Sequence, residues 1–328
     1  MFEQLHLDVY QLVFAYLPQN DLFNILLINK TFYQQIMKYV DKLFIIQTNR
    51  DLKYTCKHKL IISIKLNKYK LHWNKGLMGA CEGGHKVIAE LMIKKGALNF
   101  NEGLKSACKG GHKKLAKLMI KKGATYFNWG LQGACNGGHI QLAQWMIKKC
   151  AGDWDLALYG ACKGGHKDII DMIIEKGANL WDLGLFGACK GGHKDIIDLM
   201  IEKGADDFED ALRYACEGGH IQLANLMIEK GADFWNVALR GACRGGHIEL
   251  VKWIIEKGAD EFDTALFIAC KKEYNDIVKY LIIEKGAAHC SYCNKSMMNH
   301  LNPKRKLLSE HRYDLRSSTT STTKKQKK

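Results

Sequence analysis

The chain has 328 residues, of which 47% are hydrophobic and only 2 are prolines, so it can bury a large core and form long helical arrays. No apolar run reaches the roughly 18 residues that a membrane span requires, and the start of the chain lacks the charged and apolar pattern of a secretory signal. The composition therefore predicts a helical, cytoplasmic protein with no membrane partner.

The formal net charge of +15 is concentrated at the two ends of the chain. Residues 76–288 carry 28 basic against 27 acidic side chains, whereas residues 1–75 carry 11 against 5 and residues 289–328 carry 10 against 2. A basic surplus outside the central part is a weak sign of nucleic-acid binding. Nucleic acid is therefore not an expected partner. A nuclear location through the basic C-terminal end is the alternative to a cytoplasmic one.

Residues 1–45 differ from the rest of the chain. Apolar residues spaced for one helix face begin at Leu5, Pro18 ends that helix, and Asp21 and Thr31 can each cap a further short helix. Three short helices supply little core of their own. One interpretation of this segment is therefore a helical cap on the structure that follows.

The same segment resembles an F-box between Leu5 and Phe32, most clearly in the run Asn29-Lys30-x-Phe32. His6 departs from that family, which usually has proline there. The resemblance implies that the segment docks on the linker subunit of a cullin-based ubiquitin ligase. The implied docking residues are Leu5, Val9, Val13, Phe14, Leu17, Leu22, Ile28 and Phe32.

A hexapeptide, Ala-Cys-x-Gly-Gly-His, first occurs at Ala80 and recurs at a fixed period of 27 residues. Such a period is typical of a solenoid, in which each unit buries its apolar face only against its neighbours. Residues 73–288 hold eight units, and residues 46–72 keep only the second half of one, as expected of a terminal capping repeat. The eight cysteines are Cys81, Cys108, Cys135, Cys162, Cys189, Cys216, Cys243 and Cys270.

Each unit contains the signals of two helices. An aromatic residue stands eight positions before the cysteine, and the Asn, Asp or Glu that follows it, Asn74 in the first unit, is predicted to cap the first helix. A leucine four positions before the cysteine never varies. The Gly-Gly pair predicts a left-handed end to this helix, and apolar residues 7, 8, 11 and 12 positions after the cysteine predict the buried stripe of a second helix.

This pattern resembles ankyrin repeats, with Leu-x-x-Ala-Cys-x-Gly-Gly-His standing where that family has Leu-His-x-Ala-Ala-x-x-Gly-His, followed by a similar Gly-Ala ending. The period is shorter than the about 33 residues of that family, and the missing residues fall where the family forms a β-hairpin finger. The resemblance implies an all-α helix-pair solenoid with shortened loops. Short arrays of this composition also resemble those of giant DNA viruses that infect amoebae, which implies a host-cell location.

A thiol and an imidazole four residues apart suggest metal binding or thiol catalysis. Zinc needs about four ligands that converge on one point, however, and adjacent helices lie roughly 8–10 Å apart. The cysteines and histidines of the units are therefore predicted to be buried thiols and between-unit hydrogen-bonding groups, with no catalytic residue, cofactor or enzymatic activity. One weak metal candidate, Cys290 and Cys293, lies in the basic tail of residues 289–328, which is predicted to be largely disordered.

The sequence therefore predicts a protein-binding module that is monomeric by itself. With a functional F-box-like segment it would recruit substrates to a ubiquitin ligase; the alternative is an ankyrin scaffold or host-protein binder without ligase coupling. Side chains that vary between units are the best candidates for partner contact, because packing does not dictate them. Three positions before the cysteine, these are Met78, Lys105, Gln132, Tyr159, Phe186, Arg213, Arg240 and Phe267.

Overall fold

The computed structural model describes residues 73–149 and 151–287. These residues form sixteen helices and no strand, arranged as eight helix pairs that follow one another along the chain. The all-α helix-pair solenoid predicted from the repeats is therefore confirmed. The F-box-like segment, the capping repeat and the cysteine pair of the tail lie outside the described residues.

Each pair consists of a first helix, which carries the invariant leucine and the cysteine, and a second helix. The first helices are α1 (Trp73–Glu82), α3 (Phe100–Lys109), α5 (Phe127–Asn136), α7 (Trp154–Gly164), α9 (Trp181–Gly191), α11 (Phe208–Gly218), α13 (Trp235–Gly245) and α15 (Phe262–Lys272). The second helices are α2 (Lys86–Lys94), α4 (Lys113–Lys121), α6 (Ile140–Ile147), α8 (Lys167–Glu175), α10 (Lys194–Glu202), α12 (Ile221–Glu229), α14 (Ile248–Glu256) and α16 (Asn275–Ile283).

The core runs along the array between the two rows of helices. In the first seven first helices the invariant leucine and the Ala-Cys pair are fully buried, as at Leu158, Ala161 and Cys162. The second helices bury the residues 7, 8 and 11 positions after the cysteine, such as Ile169, whereas position 12, as at Ile174, is only half-buried. Each buried aliphatic side chain stabilises the fold by roughly 1.5–3 kcal/mol. None of the helices described between residues 73 and 287 combines the length and apolar character needed to cross a bilayer.

The first helices begin two residues earlier than predicted, at the aromatic residue itself. The residue before the aromatic is the N-cap in units two to eight. In two of them its side chain caps the helix: Asp153 Oδ1 accepts from the amide of Leu156 at 2.9 Å, and Asp207 Oδ1 accepts from the amide of Asp210 at 3.0 Å. The prediction that Asn74 and its equivalents cap the first helix is therefore wrong. These residues lie inside the first turn, and their side chains bond the next unit instead.

Asn74 and its equivalents join neighbouring units. Asn101 Oδ1, for example, accepts hydrogen bonds from the backbone amides of Thr125 and Tyr126, at 2.8 and 3.0 Å. Those amides belong to the loop that leads into the next first helix, where backbone donors have no partner within the helix. The same arrangement recurs at every junction between the eight units. The acceptors are Asn74, Asn101, Asn128, Asp155, Asp182, Glu209 and Asn236.

Most first helices end at the Gly-Gly pair as predicted. The second glycine has a left-handed backbone, with φ of +80° at Gly165, which strains any side chain. The imidazole of the next unit covers this glycine, and His193 Nε2 lies 3.3 Å from the carbonyl oxygen of Lys163. Burial lowers the pKa of the equivalent rings of His112 and His220, so they are neutral at pH 7. The predicted between-unit hydrogen bond of the histidines is thus present.

Glycine two positions before the cysteine brings neighbouring first helices together. A Cβ atom at Gly187 in α9 would overlap the backbone carbonyl oxygen of Tyr159 in α7. First helices pack more closely at the four junctions with such a glycine than at the three without it. The four glycines are Gly133, Gly160, Gly187 and Gly241, and the other three junctions have Ser106, Tyr214 and Ile268.

We expect Asp182→Ala to lower the free energy of unfolding by about 1 kcal/mol, because it removes the acceptor for the amides of Asp206 and Asp207 at 2.9 and 3.1 Å. Asp182→Asn is the matched control, since asparagine makes the same bonds in other units, and its effect should stay within about 0.5 kcal/mol. Chemical denaturation measures both variants. Equal destabilisation by the two would contradict the role given to this oxygen.

Gly187→Ala should lower the free energy of unfolding by about 1–3 kcal/mol, because the added methyl group forces α7 and α9 apart. Helix propensity alone would have the opposite effect, because alanine stabilises a helix by about 1 kcal/mol relative to glycine. A loss of stability would therefore report the close contact between the two helices. Gly152→Ala is the control, because a Cβ at Gly152 meets no other atom within 4 Å. Thermal and chemical denaturation would show the difference, and a stabilised Gly187→Ala protein would rule out the close approach.

Candidate functional site

The eight variable positions predicted to contact a partner lie one on each first helix. Gln132 and Phe186 are buried, at 7% and 6% exposure, whereas Phe267 is 38% exposed. Only some of the eight therefore offer surface to a partner, and their role in binding stays a prediction. Four of them line a single cavity: Met78, Lys105, Gln132 and Tyr159.

This inner cavity has a volume of about 430 Å³. Residues of the first helices α1, α3, α5, α7 and α9 line it, and Lys272 at the end of α15 reaches it as well. Because the first and the eighth unit share one cavity, the array curves strongly toward its first helices. A volume of this size accommodates a small molecule or a few residues of a peptide.

The cavity lining is basic. Five lysines and two glutamates belong to it, Glu82 and Glu102 being the glutamates. Lys109 Nζ lies 3.0 Å from Glu82 Oε1, and Lys190 Nζ lies 2.6 Å from Oε1 of Glu217, which stands outside the lining. The other three lysines, which make no ion pair with a described residue, are Lys105, Lys163 and Lys272.

Burial and neighbouring positive charges together lower the pKa of the three lysines that make no ion pair. Burial, and after it the charge of Lys190, lowers the pKa of Lys163 to about 8. Burial also lowers the pKa of Lys105, and burial with the charge of Lys75 lowers the pKa of Lys272. Burial is the largest cause for all three lysines, and the charges of Glu102 and Glu217 offset it only in part. The cavity lining therefore carries more positive than negative charge.

The two arginines among the variable positions have partners within the protein. Arg213 Nε donates to Asp210 Oδ1 at 2.8 Å, and its guanidinium lies 4.1 Å from the ring centroid of Tyr214. Arg240 Nη1 donates to Glu261 Oε2 at 2.9 Å. The side chain of Arg213 is only 18% exposed. Arg213 is therefore held by side chains of its own helix, α11, and Arg240 is the more accessible of the two.

The cysteines are packing residues. The seven from Cys81 to Cys243 are free and fully buried, and burial raises the pKa of each thiol to about 12. Such thiols stay protonated at neutral pH, and thiolate is the form that attacks substrates and binds metals. The prediction of buried thiols is wrong for Cys270, which is partly exposed and disulfide-bonded. Residues 73–149 and 151–287 contain no group of three or more His, Cys, Asp or Glu placed to hold a metal ion.

Of the five cavity lysines, only Lys105 is among the residues that the sequence predicts to contact a partner. Lys109, Lys163 and Lys190 occupy the variable x of Ala-Cys-x-Gly-Gly-His, and Lys272 replaces a glycine of that motif in the last unit. The sequence feature that could have indicated them is the charge of the residue at x, which changes from unit to unit. Their convergence on one cavity depends on the curvature of the array, which no single unit encodes.

Comparison with known proteins identifies the type of repeat. The family model of ankyrin repeats, in three copies, matches residues 236–293. This stretch is therefore similar to ankyrin repeats. The same 27-residue helix pair extends from residue 73, so the ankyrin resemblance of the hexapeptide units agrees with the match.

A solved structure with detectable similarity is the crystal structure of the human ASB11 ankyrin repeat domain. It is 21% identical in sequence, and the alignment covers 62% of this chain and 96% of that chain, with a TM-score of 0.29. No match is found among curated proteins.

The buried thiols predict a loss of stability in alkali. The ordinary thiol pKa is 9.0 and burial raises that of Cys162 to about 12, so between these values only the unfolded chain releases the proton. Each such thiol then lowers the free energy of unfolding by about 1.4 kcal/mol per pH unit, and has no effect below pH 9. Denaturation at a series of alkaline pH values measures this slope.

Cys162→Ala removes one thiol, so above pH 9 its free energy of unfolding should fall with pH less steeply than that of the unchanged chain, by about 1.4 kcal/mol per pH unit. Met200→Leu is the control, because Met200 Sδ lies 4.0 Å from Cys162 Sγ and its replacement disturbs the same packing without removing a thiol. An unchanged slope in Cys162→Ala would contradict the prediction.

Proposed function

We propose that the chain is a protein-binding module whose partner contacts the inner face of the first helices. The observation that carries this proposal is the cavity, because it combines apolar and basic side chains on a face that varies from unit to unit. Met78 and Tyr159 supply apolar contact beside the lysines. Aromatic and basic side chains in a partly desolvated pocket make effective binding anchors. The ankyrin repeats of residues 236–293 are a kind of scaffold suited to protein interaction.

A more specific proposal is that this binding module recruits substrates to a cullin-based ubiquitin ligase. The F-box resemblance between Leu5 and Phe32 supports it. An adaptor needs two separate binding elements, and the chain offers this segment and the repeat face. The competing proposal is a cytoplasmic or nuclear scaffold, or a binder of host proteins, in which residues 1–45 only cap the array.

Affinity purification of the intact chain and of a variant lacking residues 1–45 tests both proposals. We expect mass spectrometry to find ligase subunits only with the intact chain, because the F-box-like segment would dock on the linker subunit. The protein held by the repeats should co-purify with both forms, since the variant keeps the inner face of the first helices.

Each alternative outcome has a defined meaning. Absence of ligase subunits from both samples, together with a lower melting temperature of the shortened variant, would favour the cap. Ligase subunits bound equally by both forms would contradict docking through residues 1–45. An intact chain that captures no protein would contradict the binding-module proposal.

A further inference from the structure

The inner cavity holds more positive charge than its own residues neutralise. Its lining has five lysines and two glutamates. Lys105, Lys163 and Lys272 belong to α3, α7 and α15, in the second, fourth and eighth units, so the curvature of the array brings them together. None of the three makes an ion pair with a residue in the described part of the chain.

A bound anion would stabilise this arrangement. Like charges in a partly enclosed space repel one another more strongly than on an open surface, because less water screens them. The lowered pKa of Lys163 reflects burial first and the nearby charge of Lys190 second. The negative groups of a ligand bound between these ammonium groups would attract them and accept short, charge-assisted hydrogen bonds from them. The excess of lysine in the lining therefore favours an anionic ligand.

The rest of the lining favours an acidic peptide over other anions. Met78 and Tyr159 offer apolar contact that a bare inorganic anion cannot use. Glu82 and Glu102 would repel the evenly charged phosphate backbone of a nucleic acid, whereas a peptide can place its acidic and apolar side chains separately. A volume of about 430 Å³ suits a few peptide residues.

We propose that the inner cavity binds an acidic segment of a protein partner, whose carboxylate or phosphate groups contact Lys105, Lys163 and Lys272. This inference rests on the proposed function and specifies the chemistry of the partner. Apolar side chains of the same segment pack against Met78 and Tyr159. Salt weakens the complex, because mobile ions screen the charged contacts.

Fluorescence anisotropy with a short labelled polyglutamate peptide and the full chain tests the proposal. The triple variant Lys105→Gln, Lys163→Gln, Lys272→Gln should bind the peptide at least about tenfold more weakly. Lys122→Gln is the matched control, since Lys122 is exposed and outside the cavity, and its affinity should change less than about twofold. The melting temperature of the triple variant should not fall, because the substitutions remove repulsion. Lys163→Gln alone, expected to weaken binding about threefold, provides the same test if the triple variant unfolds.

Three results would overturn the proposal. They are unchanged peptide affinity in the variants, equal binding of a polyglutamine peptide of the same length, and tighter binding of single-stranded DNA or inorganic tripolyphosphate than of polyglutamate. Affinity purification with the triple variant separates this inference from the proposed function. If the intact chain and the triple variant capture the same partner equally, the cavity assignment is wrong and the binding module stands. If the intact chain captures nothing, the proposed function itself is wrong.

Discussion

Close approach of neighbouring first helices is the constraint on which the rest of the structure depends. The buried Ala-Cys pair in the first seven first helices, and glycine two positions before the cysteine at four junctions, let these helices meet almost backbone to backbone. Neighbouring second helices touch one another far less. The array therefore curves toward its first helices. That curvature, repeated over eight units, encloses the inner cavity and brings Lys272 to the same space as Met78.

The shortened loop depends on one polar side chain per unit. In the family that these units resemble, a β-hairpin finger occupies the place of the missing residues. Here the residue after the aromatic, such as Asn101, accepts hydrogen bonds from two backbone amides of the next unit. The position requires only an oxygen within reach of those amides, which explains why asparagine, aspartate and even Glu209 all occur there. A unit of 27 residues can thus stay joined to its neighbour without the finger.

Most of the single unit could be predicted from the sequence, because its determinants are local. The helix pair, the buried leucine and cysteine, and the left-handed glycine follow from residue types at fixed spacing. The cap assignment failed at Asn74 because a side chain in a first helical turn can bond either its own helix or a neighbour, and spacing does not show which amides come within reach. The cavity could not be predicted, because it depends on small rotations between units that accumulate along the array.

The residue at position x of the hexapeptide differs from unit to unit, and its place on the helix favours a positively charged side chain. It lies in the last turn of the first helix, where unpaired carbonyl groups carry a partial negative charge of roughly half an electron. Lys109, Lys163 and Lys190 stand there, so each ammonium group is partly compensated by its own helix even without a counter-ion. The residues around x are fixed by packing and by the turn, whereas x itself lines the cavity in the first five units. The charge of the cavity can therefore differ from unit to unit while the helix pair and its packing stay the same.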